Sequence, residues 1–268
     1  MKKIFVLAFA ASTLLFNSCS TVPLTGRSRL NLVSNDQVLP MAFQAYSEFL
    51  TDNKSIVLPA SNAQASRVKM VGNKLINAVK QYMNNNNYGD LIKDYQWEVN
   101  VVQNKEQNAW CMPGGKIVVY TGILPVTQDD AGLATVMGHE IAHAIAGHSA
   151  EQMSQEMLAQ GIGAAGGVAL SKNPQAQGIF NTLYGVGTPI AMLSYSRSKE
   201  LEADRLGLIF MAMAGYNPQS AISFWQRMGA SAQGKQKPPE FLSTHPSDAS
   251  RIAQIQKYLP EATQFYKK

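Results

Sequence analysis

The five residues His139-Glu140-Ile141-Ala142-His143 constrain this chain more than any other feature. Their four-residue spacing sets two imidazoles about one turn apart on one helix face, where both ring nitrogens can reach one ion. The preceding run, 131–137, is uncharged and largely apolar, so the helix belongs in a core, while Asp129 and Asp130 put negative charge at its N-terminal end. Such a helix needs elements that cover it and a further donor. A zinc centre that works on substrate takes three protein ligands and keeps one position open.

The candidate third donor lies in Ser198-Lys199-Glu200-Leu201-Glu202-Ala203-Asp204. In a helix Glu200 and Asp204 share a face, and Glu202 turns about 200° away from Glu200. One helix can then offer Glu200 to the metal and Asp204 to the free N–H of a ligand histidine, fixing its tautomer. Glu140, next to the imidazoles in sequence, directs its carboxylate towards the space where water would sit. Two neutral imidazoles and one carboxylate suit a single Zn2+ per chain, and residue type alone leaves iron and manganese open. His148 follows His143 by five residues, about 140° further round a continuous helix, which points to a structural role.

The chain has 268 residues, of which 46% are apolar, enough to bury the core of one domain. The formal charge of +5 falls to +3 without Lys2 and Lys3, and the rest form no basic stripe, so a nucleic-acid partner is not expected. Met1-Lys2-Lys3 followed by the uncharged, mostly apolar run 4–16 reads as a secretory leader. Phe16-Asn17-Ser18-Cys19 resembles a bacterial lipobox, with Phe16 where Leu is usual. On that reading residues 1–18 are removed and Cys19 is lipidated. Residues 19–33 form a tether, irregular over 21–29, and 34–268 form a single domain. Acyl chains on Cys19 would hold the protein on a membrane. The apolar stretches 161–170 and 179–193 are too short or too broken to span one.

Periodicity predicts helices over 34–50, 61–83, 128–148, 194–215, 217–228 and 248–258, with Thr127 capping the third and helix resuming over 151–170. A strand is expected over 95–102. A hairpin is expected from 109–112 and 116–120 around Pro113-Gly114-Gly115, and a mobile loop over 234–239. Mostly helices with one small sheet make an α+β domain.

H-E-x-x-H followed by E-x-E-A-D resembles the gluzincin metallopeptidases, the family that includes the CAAX prenyl proteases, the HtpX membrane proteases and the mitochondrial Oma-type proteases. Within it the chain is most similar to the soluble periplasmic lipoprotein branch. Thr25-Gly26-Arg27, Asn108-Ala109, Pro113-Gly114-Gly115, His148 and Ser243-Thr244-His245-Pro246 extend the likeness along the chain.

The resemblance implies a zincin-type domain with its sheet beside the active-site helix. It implies His139, His143 and Glu200 as zinc ligands, Glu140 as general base and then acid, and Asp204 orienting His139. It implies 116–120 as the sheet edge along which a substrate peptide lies. His245 becomes either the donor that stabilises the developing oxyanion or a fourth ligand that keeps the site latent. The implied function is zinc-dependent endopeptidase action in the bacterial cell envelope, on unfolded or misassembled envelope proteins. The protein would be lipid-anchored, at the outer membrane facing the periplasm, with outer-membrane proteins or their assembly machinery as partners. The alternative is a chaperone-like envelope assembly factor with a latent or structural metal site.

Overall fold

The computed structural model describes residues 19–160, 174–184, 195–233, 239–247 and 249–266. The expected leader over 1–18, the Gly-rich stretch 161–170 and most of the expected loop over 234–239 lie outside them. β1 (Cys19–Thr21) pairs antiparallel with β2 (Ser28–Leu30). The segment expected to be irregular is therefore a hairpin. Its turn closes with Gly26 at φ +67° and a 2.8 Å bond from the Val22 N–H to the Arg27 carbonyl. α1 (Asn35–Asp52) starts after Ser34, whose N–H donates to the Gln37 side chain at 3.1 Å. α2 (Ala63–Asn85) is capped by the Asn62 side chain, which accepts the N–H groups of Gln64 and Ala65. Val68, Val71, Leu75, Val79 and Met83 recur every three or four residues and form one buried stripe.

The main sheet contains β3 (Glu98–Val102), β4 (Ala109–Met112) and β5 (Lys116–Tyr120) in the order β3-β5-β4. β5 runs parallel to β3 and antiparallel to β4. The expected hairpin is present, but β5 is the central strand and not an edge. Its Ile-Val-Val run is apolar on both faces, which suits a strand covered on both sides. Ile117 and Val119 face one apolar cluster with α2, and Val118 and Tyr120 face another with α1. The far side of β3 is covered by residues 56–58, through Leu58 N–H to Val101 carbonyl at 2.8 Å and Gln103 N–H to Ile56 carbonyl at 2.7 Å. Among the described residues β4 is the sheet's free edge.

α3 (Leu124–Thr127) is a single turn. Gln128 at φ +62° separates it from α4 (Asp130–Ala146). Thr127, expected to cap α4, instead bonds the Leu124 carbonyl of its own turn at 2.9 Å. Asp129 is the cap, its carboxylate accepting the Gly132 N–H at 2.7 Å. α4 is buried at every residue from Gly132 to Ala146. It ends at Gly147, φ +65°, where a Cβ would strike the Arg29 guanidinium that donates to the Ala146 carbonyl at 2.9 Å. α5 (His148–Ala159) is therefore a new helix and not a continuation.

α6 (Pro174–Tyr184), α7 (Arg197–Met213), α8 (Ser220–Ala232), α9 (Glu240–Thr244) and α10 (Ala249–Thr263) follow. The architecture is mostly helical with small sheets, an α+β zincin-like domain. α4 and α7 approach closely through two glycines. A Cβ on Gly138 would sit 3.0 Å from the Gly207 carbonyl oxygen, and one on Gly207 would sit 2.9 Å from the His139 nitrogen. That contact brings the first turn of α7 beside His139 and His143. Among the described residues no helix is long and apolar enough to cross a membrane.

Candidate metal centre

His139 and His143 project from the same face of α4, with Nε2 atoms 3.0 Å apart. Glu200 lies in the first turn of α7, where the helix dipole favours its charge. Its Oε2 is 3.4 Å from His139 Nε2 and its Oε1 is 3.3 Å from His143 Nε2. His245, at the C-terminal end of α9, brings Nδ1 to 2.9 Å from Glu200 Oε2 and 3.2 Å from His139 Nε2. One donor atom from each of the four lies within 4.8 Å of the others, and all four residues are buried.

The electrostatics of this cluster test whether a cation fits. Burial opposes charge on Glu200, yet the imidazoles packed against it, His245 first and then His139 and His143, hold its carboxyl well below the usual range. Burial pushes His143 well below its ordinary value, leaving the ring neutral with a lone pair to offer. Oε1 of Glu140, Oε1 of Glu200 and Nε2 of His245 are buried with no hydrogen-bond partner. Each such orphan costs about 1–3 kcal/mol. Converging lone pairs and unpaired acceptors at one point suit a metal cation, which satisfies them together. Glu140 itself lies 3.5 Å from His245 Nε2 through Oε1. Burial raises its carboxyl to about 7, with Glu200 adding to the rise, and with His245, Arg251 and a main-chain hydrogen bond from Cys111 on β4 opposing it.

Behind His139, Asp204 Oδ1 lies 3.0 Å from Nδ1, as the i, i+4 spacing from Glu200 anticipates. Asp204 is gripped by the Arg251 fork, Nε and Nη2 each at 2.8 Å. Arg251 comes from α10, stacks 3.5 Å over the Trp225 ring, lies 3.3 Å from Glu200 Oε2 and bonds the Pro246 carbonyl at 3.1 Å. Sequence reasoning missed Arg251. The available signal was the buried Asp204, which needs a cation beside it.

Behind His143 the arrangement differs. His148 is outside the donor cluster, but its Nδ1 is 2.8 Å from His143 Nδ1 and its Nε2 is 3.0 Å from Glu202 Oε2. Glu202 also accepts the Thr25 hydroxyl at 2.5 Å and Arg27 Nε at 2.7 Å. Burial opposes its charge, but the bonds from His148, Thr25 and Arg27 hold its carboxyl down at about 2. Tyr195 stacks on the His143 ring, centroids 4.2 Å apart, and its hydroxyl is 2.6 Å from Ser149 Oγ. The 140° separation assumed one continuous helix. Gly147 breaks it and returns His148 to the back of His143. Cys19, the expected lipid site, lies in β1.

The family model described as peptidase family M48 matches residues 62–259. The mitochondrial metalloendopeptidase OMA1 of Schizosaccharomyces pombe is 34% identical over 247 residues, covering 92% of this chain and 68% of that protein. The mitochondrial metalloendopeptidase OMA1 of Homo sapiens is 30% identical over 267 residues, covering 92% of this chain and 47% of its own length. The beta-barrel assembly-enhancing protease of Escherichia coli is 32% identical over 157 residues, 57% of this chain and 32% of that protein. With a buried His, His, Glu and His donor set beside a carboxylate raised to near neutrality, the chain belongs to peptidase family M48 and is a metalloendopeptidase.

Proposed function

We propose that this chain is a zinc endopeptidase of the bacterial cell envelope. It belongs to the lipoprotein branch of its family, acts on unfolded or misassembled envelope proteins, and is held by lipid on Cys19 at the outer membrane, facing the periplasm. The observation that carries the chemistry is the convergence of His139, His143 and Glu200 beside Glu140, with Glu140 Oε1 and Glu200 Oε1 buried and unpaired. The leader-like residues 1–18 and the likeness to a beta-barrel assembly-enhancing protease support the envelope setting. They make outer-membrane proteins or their assembly machinery the partners of this reading. Residues 1–18 are then removed, and 34–268 form a single domain.

His139, His143 and Glu200 would hold the zinc, and Asp204 would orient His139. Zinc bound there supplies positive charge that polarises a peptide carbonyl and brings the pKa of water to about 7. Glu140 takes the proton of the attacking water and returns it to the leaving amine, two tasks that a carboxyl titrating near neutrality performs at physiological pH. The substrate backbone adds along β4, which pairs with β5 on one side and meets the Glu140 carboxylate at Cys111 on the other. Main-chain hydrogen bonds there give grip with little sequence preference. His245, whose Nδ1 lies among the donors, is the fourth donor of a resting, closed site.

Zinc content and cleavage of an unfolded protein such as casein, with and without a chelator, test this reading. Glu140→Gln keeps one zinc per chain and loses about 10²–10⁴-fold in turnover. Unchanged turnover in that variant rejects the assignment.

A further inference from the structure

We propose that the N-terminal segment Thr25-Gly26-Arg27 is a positioning element of the metal centre, acting on His143 through Glu202 and His148; this rests on the zinc reading above. The proton inventory carries it. His143 turns Nε2 towards Glu200 and His139, so in a metal-holding ring that atom keeps its lone pair and Nδ1 carries the proton. At 2.8 Å, Nδ1–H of His143 donates to Nδ1 of His148. The His148 proton then sits on Nε2 and donates to Glu202 Oε2 at 3.0 Å. Glu202 is fastened in turn by Thr25 on Oε1 and Arg27 on Oε2. The remaining Arg27 nitrogens grip both Glu151 oxygens, at 3.0 and 2.9 Å. One guanidinium thus ties the N-terminal hairpin to α5 and α7 while the relay ends on a ligand ring. A carboxylate behind a ligand histidine fixes its tautomer and raises its basicity. Here that carboxylate works through a second imidazole and is held by residues 177 and 175 positions away in the chain.

The geometry also accounts for the third acidic residue of the E-x-E-A-D run. Glu200 faces the donors, Asp204 backs His139, and Glu202, on the other side of α7, backs His143 through His148.

The test uses the full chain and two readouts besides turnover. One is the zinc dissociation constant, from competition with a chelator of known affinity. The other is the visible absorption spectrum of the Co2+-substituted protein. Arg27→Gln, Glu202→Gln and His148→Leu are expected to weaken zinc by about 10- to 100-fold and to shift the Co2+ bands. His148→Asn, which keeps an acceptor for His143 but cannot reach Glu202, falls between His148→Leu and the wild type. Arg67→Gln, which removes an ion pair with Asp130 away from the site, leaves both readouts unchanged. Wild-type zinc affinity and an unshifted Co2+ spectrum in Arg27→Gln, Glu202→Gln and His148→Leu overturn the proposal. If His148→Leu does not fold, Arg27→Gln and Thr25→Val, at the partly exposed end of the relay, decide it by the same criteria. A wild-type chain without stoichiometric zinc overturns the metal-centre reading itself, and this proposal with it. A wild type that holds zinc beside variants that hold it equally well overturns this proposal alone.

Discussion

His139 and His143 stand one turn apart on the same buried helix, yet what lies behind them is built differently. Behind His139 the support is short and deep. Asp204 touches the ring directly, and Arg251 and Trp225 enclose Asp204, all fully buried. Behind His143 the support is long. It runs through His148 and Glu202 to Arg27, whose side chain is 35% exposed. The first depends on helices of the core, the second on a hairpin at the N-terminal end of the described chain. A closed support loses much when one member is removed, because a charge is left buried without its partner. An open one loses less, because water reaches its outer end.

Asp204→Ala is the hardest break on the deep side. It removes the acceptor of both prongs of the buried Arg251 guanidinium and the carboxylate behind His139, and about 3–5 kcal/mol of stability should go with it. Urea denaturation of the metal-free protein measures this, and a loss no larger than that of Arg27→Gln would erase the contrast. Gly207→Ala acts on the contact both supports share. Its Cβ would meet the His139 backbone at 2.9 Å, so α7 must move off α4, at a cost of about 1–3 kcal/mol. Zinc affinity should fall as well, because Glu200 moves with the helix, and an unchanged dissociation constant would show that the two glycines do not set its position.

His245 sits against the deep side, and His245→Ala sharpens the comparison through activity. As a fourth donor of a closed site its removal speeds casein cleavage. An oxyanion donor's removal would slow it by about 10²–10³-fold, so the sign alone decides. The smallest effect concerns acid. Glu202 titrates at about 2 when folded against an ordinary 4.5. Its charged form therefore contributes stability above pH 4.5, and that contribution is lost as pH falls from 4.5 through 2. The stability gap between wild type and Glu202→Gln should be full at pH 7 and close towards pH 2. A gap that stays constant with pH would mean that the charge on Glu202 is not what holds the long support.

Local signals carried the sequence reading where the physics is local. The H-E-x-x-H spacing, the i, i+4 relation of Glu200 and Asp204, and the strands around Pro113-Gly114-Gly115 depend on neighbours in the chain. All of these stand at the expected places. The strand order was not legible, because Lys116–Tyr120 reads alike as an edge or a centre until both faces are seen to be covered. His148 stays outside the donor cluster with a structural role, as expected, but its contact with the back of His143 was not legible. One left-handed glycine cancels a rotation computed over five residues.

By itself the sequence determined an α+β chain whose buried helix carries two imidazoles and whose later helix carries three acids, since spacing and side-chain chemistry travel with the residues. Only the tertiary structure decided which strand borders Glu140, which cation faces Asp204, and that a hairpin beginning at Cys19 closes on Glu202. Those partners lie as far apart in the chain as 47 residues for Asp204 and Arg251 and 175 for Arg27 and Glu202, and are chosen by packing. The approach of Gly138 to Gly207 and the turn at Gly147 are cases where the absence of a side chain, and not its presence, sets the geometry.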